Sequence, residues 1–302
     1  MLTYTEISKN KFQSVLLIFF FLLVIIALGF VFSQIYNAPG LLVAAVLFSA
    51  VSALVSYYFS DSITLSLSRA KEVDRQGNPE LYRLVENLTI AAGLPLPKIY
   101  IIEDTAPNAF ATGRDPKHAV VCVTTGILQK LNKTELEGVI AHELSHVGNY
   151  DIRFMTLVVV LVGIVTLLAD WMLRITFFGG RRRSNNSEGG QLQLIFLIAG
   201  LVLAMLSPLI GMLIQLAVSR KREFLADASG ALLTRYPEGL ASALRKINSD
   251  QEPLEVANKA TAHLYIVNPL KGQGGHVSWL AKLFNTHPPI EERIKRLKEM
   301  NL

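Results

Sequence analysis

The chain has 302 residues, a length typical of one or two domains, and 51% of its residues are hydrophobic while 18% are charged. Because the apolar residues are concentrated in long blocks, this composition argues against an ordinary soluble protein and indicates a membrane protein. The formal net charge is +5, but the basic residues lie at the ends of the apolar blocks and no nucleic-acid-binding motif is visible, so nucleic acid is not an expected partner.

Two apolar runs open the chain, Val15–Phe32 and Leu41–Phe59, and each approaches the ~20 residues needed to cross a bilayer. The first is too long for a signal-peptide core and lacks an obvious small-residue cleavage site after it, so we predict a retained anchor. The uncharged link Ser33–Gly40 joins the two runs into a transmembrane hairpin over residues 1–60. Basic residues flank its far ends and place both in the cytoplasm: Lys9, Lys11, Arg69 and Lys71.

Residues 61–151 read as the first part of a soluble domain. Asn78 and Pro79 predict a helix start, as N-cap and first helical residue, and this helix should continue to about Ala92. A β-branched strand is predicted at Lys98–Glu103. The runs Asn108–Gly113 and Ala119–Thr124, separated by a turn, predict a hairpin.

The only cysteine, Cys122, lies in the second strand of that hairpin. A single cysteine rules out an internal disulfide and fits a reducing compartment. Its apolar neighbours predict a buried, packed thiol rather than a reactive one.

A helix is predicted from Glu135 to about Gly148, with Thr134 as its N-cap and Glu137 as the third residue of a capping box. Four apolar residues at helical spacing should form its buried face: Leu136, Ile140, Leu144 and Val147.

This helix carries His142-Glu143-Leu144-Ser145-His146, an H-E-x-x-H motif. Residues four apart share a helix face, so His142 and His146 can bind one metal ion. Glu143 lies beside them, where it can take a proton from a water on the metal. The alternative is a surface helix with two incidental histidines.

Residues 152–219 contain two further apolar runs, Leu157–Leu168 and Leu194–Val218, joined by the arginine-containing link Gly179–Gly190. Two full spans or two protein-buried helices are both possible, and we favour two spans. Either geometry returns the chain to the side from which it started.

Residues 220–302 should complete the catalytic domain with helices at Arg220–Leu233, Glu238–Ile247 and about Ile290–Met300, and a glycine-rich loop near Gly272–Gly275. A catalytic zinc site usually has three protein ligands. Glu223 is the best candidate for the third, and Asp227, on the same helix face, could hold a ligand histidine. Spacing alone leaves an alternative open, in which Glu223 and Asp227 are exposed and form ion pairs with Arg220 and Arg222.

With these segments in place, the chain resembles the membrane zinc metallopeptidases that include HtpX-type proteases and CAAX prenyl endopeptidases. The order of the motifs and the short chain look like the HtpX type, since a prenyl endopeptidase would be longer, with more spans. The resemblance covers most of the chain and rests on these segments: Asn108–Gly113, Ala141–His146 followed by Asp151, Glu223–Asp227, Thr286–Pro289 and Glu292–Ile294.

The resemblance implies that Glu223 is the third zinc ligand and that Asp227 orients a ligand without binding the zinc ion itself. It also implies that one or both of His287 and Arg293 approach the site and support the oxyanion. The substrate is expected to pair with an edge strand formed by Asn108, Ala109, Phe110, Ala111 and Thr112. Asp151 is expected to close the motif helix, and three histidines without a motif are read as surface or packing residues: His118, His263 and His276.

Taken together, the sequence predicts an α+β membrane protein: a mostly helical zincin-like metallopeptidase domain with a small β-hairpin or sheet, plus four hydrophobic helices. We expect an endopeptidase with one Zn²⁺ per chain and Glu143 as general base. We expect a multi-pass protein of a bacterial-type cytoplasmic membrane, with its site facing the cytoplasm, as the basic residues indicate. The resemblance implies misfolded membrane proteins as substrates.

Two other functions remain open. One is a narrow-specificity processing peptidase of the CAAX type. The other is a non-catalytic membrane scaffold with structural zinc, which would not need Glu143. Sequence does not indicate the oligomeric state.

Overall fold

The computed structural model of the protein describes residues 2–35, 37–178, 198, 219–257, 261–269 and 288–300. Several sequence features lie outside these ranges: the link Gly179–Gly190, the run Leu194–Val218 apart from residue 198, the loop Gly272–Gly275, His276 and His287.

Three helices among the described residues are long and apolar enough to cross a membrane, which confirms the first three apolar runs as helices. They are α1 (Leu2–Ile35), α2 (Gly40–Leu67) and α6 (Asp151–Phe178). Four such helices were predicted, and the fourth falls on the residues that are not described. The α6 span is 61% buried against 22% for α1 and 17% for α2, so α6 is the most enclosed of the three.

Small side chains hold α1 and α2 together. A stripe of buried serines and a threonine runs along α2 at intervals of three and four residues: Ser49, Ser52, Ser56, Ser60 and Thr64. On α1, a Cβ at Gly29 would overlap that of Ala45 on α2. Close approach over small residues is the usual way in which membrane helices associate.

The remaining elements form one α+β domain. Its helices are α3 (Pro79–Ala92), α4 (Thr125–Lys130), α5 (Lys133–Gly148), α7 (Arg220–Thr234), α8 (Pro237–Ser249) and α9 (Ile290–Lys298), and its strands are β1 (Lys71–Glu72), β2 (Lys98–Ile102), β3 (Ala109–Gly113) and β4 (Ala119–Thr124). The mostly helical fold with a small sheet is thus confirmed. Helix α4 was not predicted.

The four strands form a mixed sheet in the order β1-β2-β4-β3. Strands β2 and β4 are parallel, whereas β3 and β4 form the predicted antiparallel hairpin, with Phe110 opposite Cys122. Strand β3 is therefore an edge of the sheet, as expected.

The sheet separates two apolar cores. Ala109, Val121 and Val123 belong to the core shared with α3, α5 and α8. Phe110 and Cys122 belong to the other core, which contains residues of α1 and α6. Cys122 is fully buried, and burial raises the pKa of its thiol, as a packed cysteine requires.

The caps of two helices were predicted with different success. Asn78 caps α3 by accepting a hydrogen bond from the Leu81 N–H at 3.1 Å, as expected. The predicted cap of α5 is wrong, because Asn132 and Glu135 form the capping box instead of Thr134 and Glu137. The same three-residue spacing occurs two residues earlier, and asparagine is the stronger N-cap residue.

Candidate metal centre

Helix α5 presents His142 and His146 on one buried face, with their Nε2 atoms 3.2 Å apart. The predicted apolar residues of this helix, Leu136, Ile140, Leu144 and Val147, are all buried in the surrounding cores. This packing fixes the rotation of the helix, so that the two imidazoles point away from the solvent into the domain.

Helix α7 packs against α5 and brings Glu223 to the same point. Its carboxylate oxygens lie 3.8 Å from His142 Nε2 and 3.5 Å from His146 Nε2. The helices approach closely because Gly230 of α7 faces the backbone of His142 without a side chain. The structure thus brings Glu223 together with two histidines from which it is separated by some 80 residues in the chain.

The outer nitrogens of both histidines contact carboxylates. Asp227 Oδ1 lies 2.9 Å from His142 Nδ1, and Asp151 Oδ2 lies 3.0 Å from His146 Nδ1. A carboxylate accepts the N–H at Nδ1, which leaves the lone pair of each Nε2 facing the other. Such an arrangement requires a proton or a cation between the rings.

The donor set fits zinc. Tetrahedral ligands about 2 Å from a zinc ion are separated from each other by roughly 3.4 Å, and the three observed separations run from 3.2 to 3.8 Å. Two imidazole nitrogens and one carboxylate are also the ligand types of a catalytic zinc site, which leaves a fourth position open.

The electrostatics of the pocket favour a positive charge. Burial alone lowers the pKa of His146, but Asp151, Glu223 and Glu143 together raise it to about 9. The pKa of His142 is lowered, chiefly by burial and against the influence of Asp227.

Glu143 is buried beside the ligands, where its carboxyl group has an unusual affinity for protons. Burial is the largest cause that raises its pKa to about 7, and the charge of Glu223 adds to it. His146, Arg293 and a hydrogen bond from the Ala111 backbone act in the opposite direction. A carboxyl group with a pKa near 7 can both accept and release a proton at neutral pH.

Arg293 of α9 is fully buried and reaches the centre through Asp227. Its Nε and Nη2 donate to the two oxygens of Asp227 at 2.8 and 2.7 Å, and its Nη1 donates to the Ile266 carbonyl at 2.9 Å. The same Nη1 lies 3.5 Å from Glu223. The guanidinium therefore faces the candidate ligand Glu223 and the partner of His142.

Strand β3 borders the centre, and part of its edge is covered. The Ile266 N–H donates to the Ala109 carbonyl at 3.0 Å, and the Asn108 side chain donates to the Val267 carbonyl at 2.9 Å. Phe110 and Thr112 are fully buried. Ala111, whose backbone contacts Glu143, is the member of the predicted substrate strand that lies beside the reactive groups.

The sequence did not indicate the position of Asp151. It was expected to close α5, but it is the first residue of α6, and its side chain contacts His146. Spacing could not place it, because it lies beyond a left-handed residue, Tyr150, at which the chain changes direction. His118 is exposed beside Asp115 and His263 is buried, which agrees with surface and packing positions.

Comparison with known proteins identifies the family of the chain. A family model described as "Peptidase family M48" matches residues 75–301. Proteins named "Protease HtpX homolog" are similar over almost the full length: that of Tropheryma whipplei strain Twist is 46% identical, with 98% of both chains covered, and that of Lactobacillus helveticus is 43% identical, with 98% of this chain and 99% of that one covered. The crystal structure of Ste24p from S. mikatae gives a TM-score of 0.49 at 17% identity and covers 97% of this chain and 67% of that one.

Proposed function

This chain belongs to peptidase family M48 and is a membrane metallopeptidase, and we propose that it is a zinc-dependent endopeptidase with Glu143 as its general base. The observation that carries the proposal is the convergence of three buried ligand atoms next to a fourth buried side chain suited to proton transfer. A structural zinc site has no need of such a neighbour.

His142, His146 and Glu223 would hold the ion, one Zn²⁺ per chain, through the two Nε2 atoms and the carboxylate. Zinc in such a site supplies Lewis-acid chemistry, which acidifies a water molecule and polarises a carbonyl group. Asp227 and Asp151 keep the protons of both imidazoles on Nδ1, so that each Nε2 is available as a ligand.

Glu143 accepts the proton of the attacking water at a carboxylate oxygen and passes it to the departing amine. General acid–base catalysis of this kind typically contributes about 10²–10⁴-fold to the rate. The buried position of Glu143 shields the transferred proton from bulk water, and burial raises the pKa of its carboxyl group in the metal-free site.

The substrate would lie along β3 in extended conformation, with Ala111 and its neighbours Asn108, Ala109, Phe110 and Thr112 forming the strand that it joins. Because Ile266 already covers Ala109, pairing would begin beyond that residue. Arg293 supports the centre by orienting Asp227 and Glu223, and the contacts of its guanidinium favour this role over direct contact with the oxyanion. A contribution of His287 to the oxyanion stays part of the proposal.

We place the protein in the cytoplasmic membrane of a bacterium, as a multi-pass protein with its catalytic domain in the cytoplasm. The basic residues at the far ends of the α1–α2 hairpin support this orientation. Damaged or misfolded membrane proteins are the proposed substrates, in protein quality control. Removal of a short segment from one membrane-bound precursor is the alternative.

The proposal is tested by comparing wild type with Glu143→Gln, both purified full-length in detergent and loaded with zinc. Each should bind one zinc ion per chain, whereas cleavage of an unfolded protein should fall at least 100-fold in the variant because the base is lost. Glu137→Gln, a change of a more exposed glutamate on the same helix, serves as the matched control and should cleave like wild type.

Equal cleavage by wild type and Glu143→Gln would remove Glu143 as the base. Zinc binding without cleavage by either protein would favour the scaffold function. Glu223→Ala should lose the ion, and unchanged zinc content in that variant would require a different third ligand.

A further inference from the structure

Asn10 is a polar residue that is buried although its neighbours in the chain, Lys9 and Lys11, are charged. It lies in the candidate span of α1, Ile7–Gln34, and only 1% of its surface is exposed. A buried amide is costly unless its donor and acceptor groups are hydrogen-bonded.

The Asn10 amide binds two segments that are distant from α1 in the chain, the corner between α5 and α6 and the start of α7. Its Nδ2 donates to the Asn149 carbonyl at 3.0 Å and to Asp151 Oδ1 at 2.6 Å, and its Oδ1 accepts from Arg222 Nη1 at 2.8 Å. These partners lie after the end of α5, at the start of α6 and in the first turn of α7. Helix α1 is thereby bonded to the α5–α6 corner and to the first turn of α7, which carry the partner of His146 and the candidate ligand Glu223.

The Asp151 contact leads directly to a candidate ligand. One oxygen of this carboxylate accepts from Asn10, and the other lies 3.0 Å from Nδ1 of His146. Arg222 is 3.6 Å from the oxygen that Asn10 also contacts, so the carboxylate is held from two sides. Asp151, Asn10 and Arg222 are each at least 94% buried, so water does not compete for these bonds.

We infer that Asn10 is a positioning residue that fixes Asp151, and through it the metal-binding nitrogen of His146, so that the first membrane helix is part of the metal centre. The inference rests on the proposed function, since it requires that His146 bind zinc. Asn10 touches neither the ion nor the substrate and acts only through Asp151.

The chemistry of the contacts explains why an amide is present. Arg222 can only donate, whereas the Asn149 carbonyl and the Asp151 carboxylate can only accept. A side chain between them must both accept and donate. Aspartate has no hydrogen to donate to Asp151 and would repel it, and leucine of similar size would leave all three groups without this partner.

The test uses the full-length protein in detergent with two variants, Asn10→Asp and Asn10→Leu. The rate at which each loses zinc to an excess of chelator is measured, together with the visible spectrum of the Co²⁺-substituted protein. Loss of the direct partner of a ligand, here Asp151, typically lowers metal affinity 10–100-fold, and Asn10 acts one step further out. We expect zinc loss to be about three- to tenfold faster in both variants, with a changed Co²⁺ spectrum.

Ser14→Ala is the matched control. Ser14 is buried on the same face of α1, one turn away, but its hydroxyl donates to the backbone carbonyl of Asn10 within the same helix. This variant should keep the wild-type rate and spectrum. If it loses zinc as fast as the Asn10 variants, the effect is a general loosening of α1 and the inference is overturned.

A second experiment measures the coupling between Asn10 and Asp151. In an Asp151→Asn background, Asn10→Leu should accelerate zinc loss less than about twofold, because its route of action is already broken. Asn10→Ser replaces Asn10→Leu in this experiment if the latter does not fold. Independent, multiplicative effects would overturn the inference.

The two proposals fail differently. Wild-type zinc retention in both Asn10 variants overturns the role of Asn10 and leaves the proposed function intact. Failure of the wild-type protein itself to bind zinc removes the proposed function, and this inference with it.

Discussion

Two aspartates bind the Nδ1 atoms of the ligand histidines, but the surroundings of the two carboxylates differ. Asp227 is shared between His142 and the fully buried Arg293, whose charge lowers the pKa of this carboxyl group against the effect of burial. Asp151 is shared between His146 and the neutral amide of Asn10, and Arg222 lies 3.6 Å from the oxygen that Asn10 contacts. The His142 side of the centre therefore depends on a close ion pair, and the His146 side depends on hydrogen bonds together with a longer ion pair.

Substitution of Asp227 by asparagine should damage the centre while its shape is kept. The amide has one acceptor oxygen for two donors, Arg293 and His142, and the charge of Arg293 is no longer balanced by it. We expect zinc affinity to fall about 10–100-fold, measured by competition with a chelator. Asp115→Asn is the control, because Asp115 makes the same contact to an exposed histidine, His118, at 2.7 Å. Equal affinity of the Asp227 variant and the control would contradict the role of Asp227.

Glu135, the glutamate of the α5 capping box, should make the free energy of unfolding depend on pH. Burial opposes ionisation of Glu135, but Lys246, the Asn132 N–H and Ser242 lower its pKa below the ordinary value. A lowered pKa stabilises the folded state above the unfolded-state value of about 4.3, and this stabilisation is lost as the pH falls through the folded-state value.

We therefore expect the apparent unfolding temperature of wild type to fall more steeply below about pH 4.5 than that of Glu135→Gln. At pH 7 the variant should be less stable by about 1 kcal/mol, as for the loss of a helix cap. Thermal unfolding followed by circular dichroism measures both. Glu137→Gln should follow the wild-type curve, and a parallel curve for Glu135→Gln would exclude this linkage.

At the scale of elements, the contact between α5 and α7 determines whether the ligands meet. A Cβ on Gly230 would lie 2.9 Å from the backbone nitrogen of His142 and 3.1 Å from the carbonyl carbon of Ala141. Backbone atoms cannot move aside as a flexible side chain can. The glycine thus sets the distance between Glu223 and the two histidines.

Gly230→Ala should push α7 away from α5 by a few tenths of an ångström and weaken zinc binding. Overpacking of this kind costs about 1–3 kcal/mol, which should appear as a lower unfolding temperature together with faster zinc loss. Gly148→Ala, in the last turn of α5, is the control, since its Cβ would meet the nearest atoms, of Leu94, at 3.8 Å. A Gly230 variant that is as stable as this control and retains zinc as well would contradict the argument.

Elements with a strong periodic signal were predicted well from the sequence, including α3, α5, α7, α8 and the β3–β4 hairpin. The start of α5 was misplaced because two overlapping capping patterns share the same spacing, and only the structure distinguishes Asn132 from Thr134. His142 and His146 could be identified from local spacing. Glu223 could not, since nothing local shows that α7 packs on α5, and its role was inferred from the family resemblance.

Contacts between segments that are distant in the chain could not be predicted from the sequence. Asn10 and Asp151 are separated by 141 residues, and Arg222 is 212 residues from Asn10. No periodicity relates such residues. Their association follows from the way in which α1, α6 and α7 pack, and that packing is a property of the whole chain.

At the scale of the whole molecule, the orientation in the membrane can be tested with single cysteines. Cys122 is fully buried, and the raised pKa of its thiol makes it unreactive, so the wild-type chain provides a silent background. A membrane-impermeant maleimide should label Gln34→Cys, near the α1–α2 link, in intact cells. It should label Gln251→Cys, on the soluble domain, only after the membrane is opened. Both positions are exposed, and the reverse pattern would invert the proposed topology.

The corner between α5 and α6 consists of only Asn149 and Tyr150. So short a connection allows little change in the angle between the two helices, so the ligands on α5 keep a fixed distance from α6, a helix long and apolar enough to cross a membrane. We therefore expect a polypeptide to be cut only where it reaches the start of α6, because α5 cannot move away from that helix to meet it. Peptide bonds that a stiff, folded domain holds away from this point should stay intact, whatever their sequence.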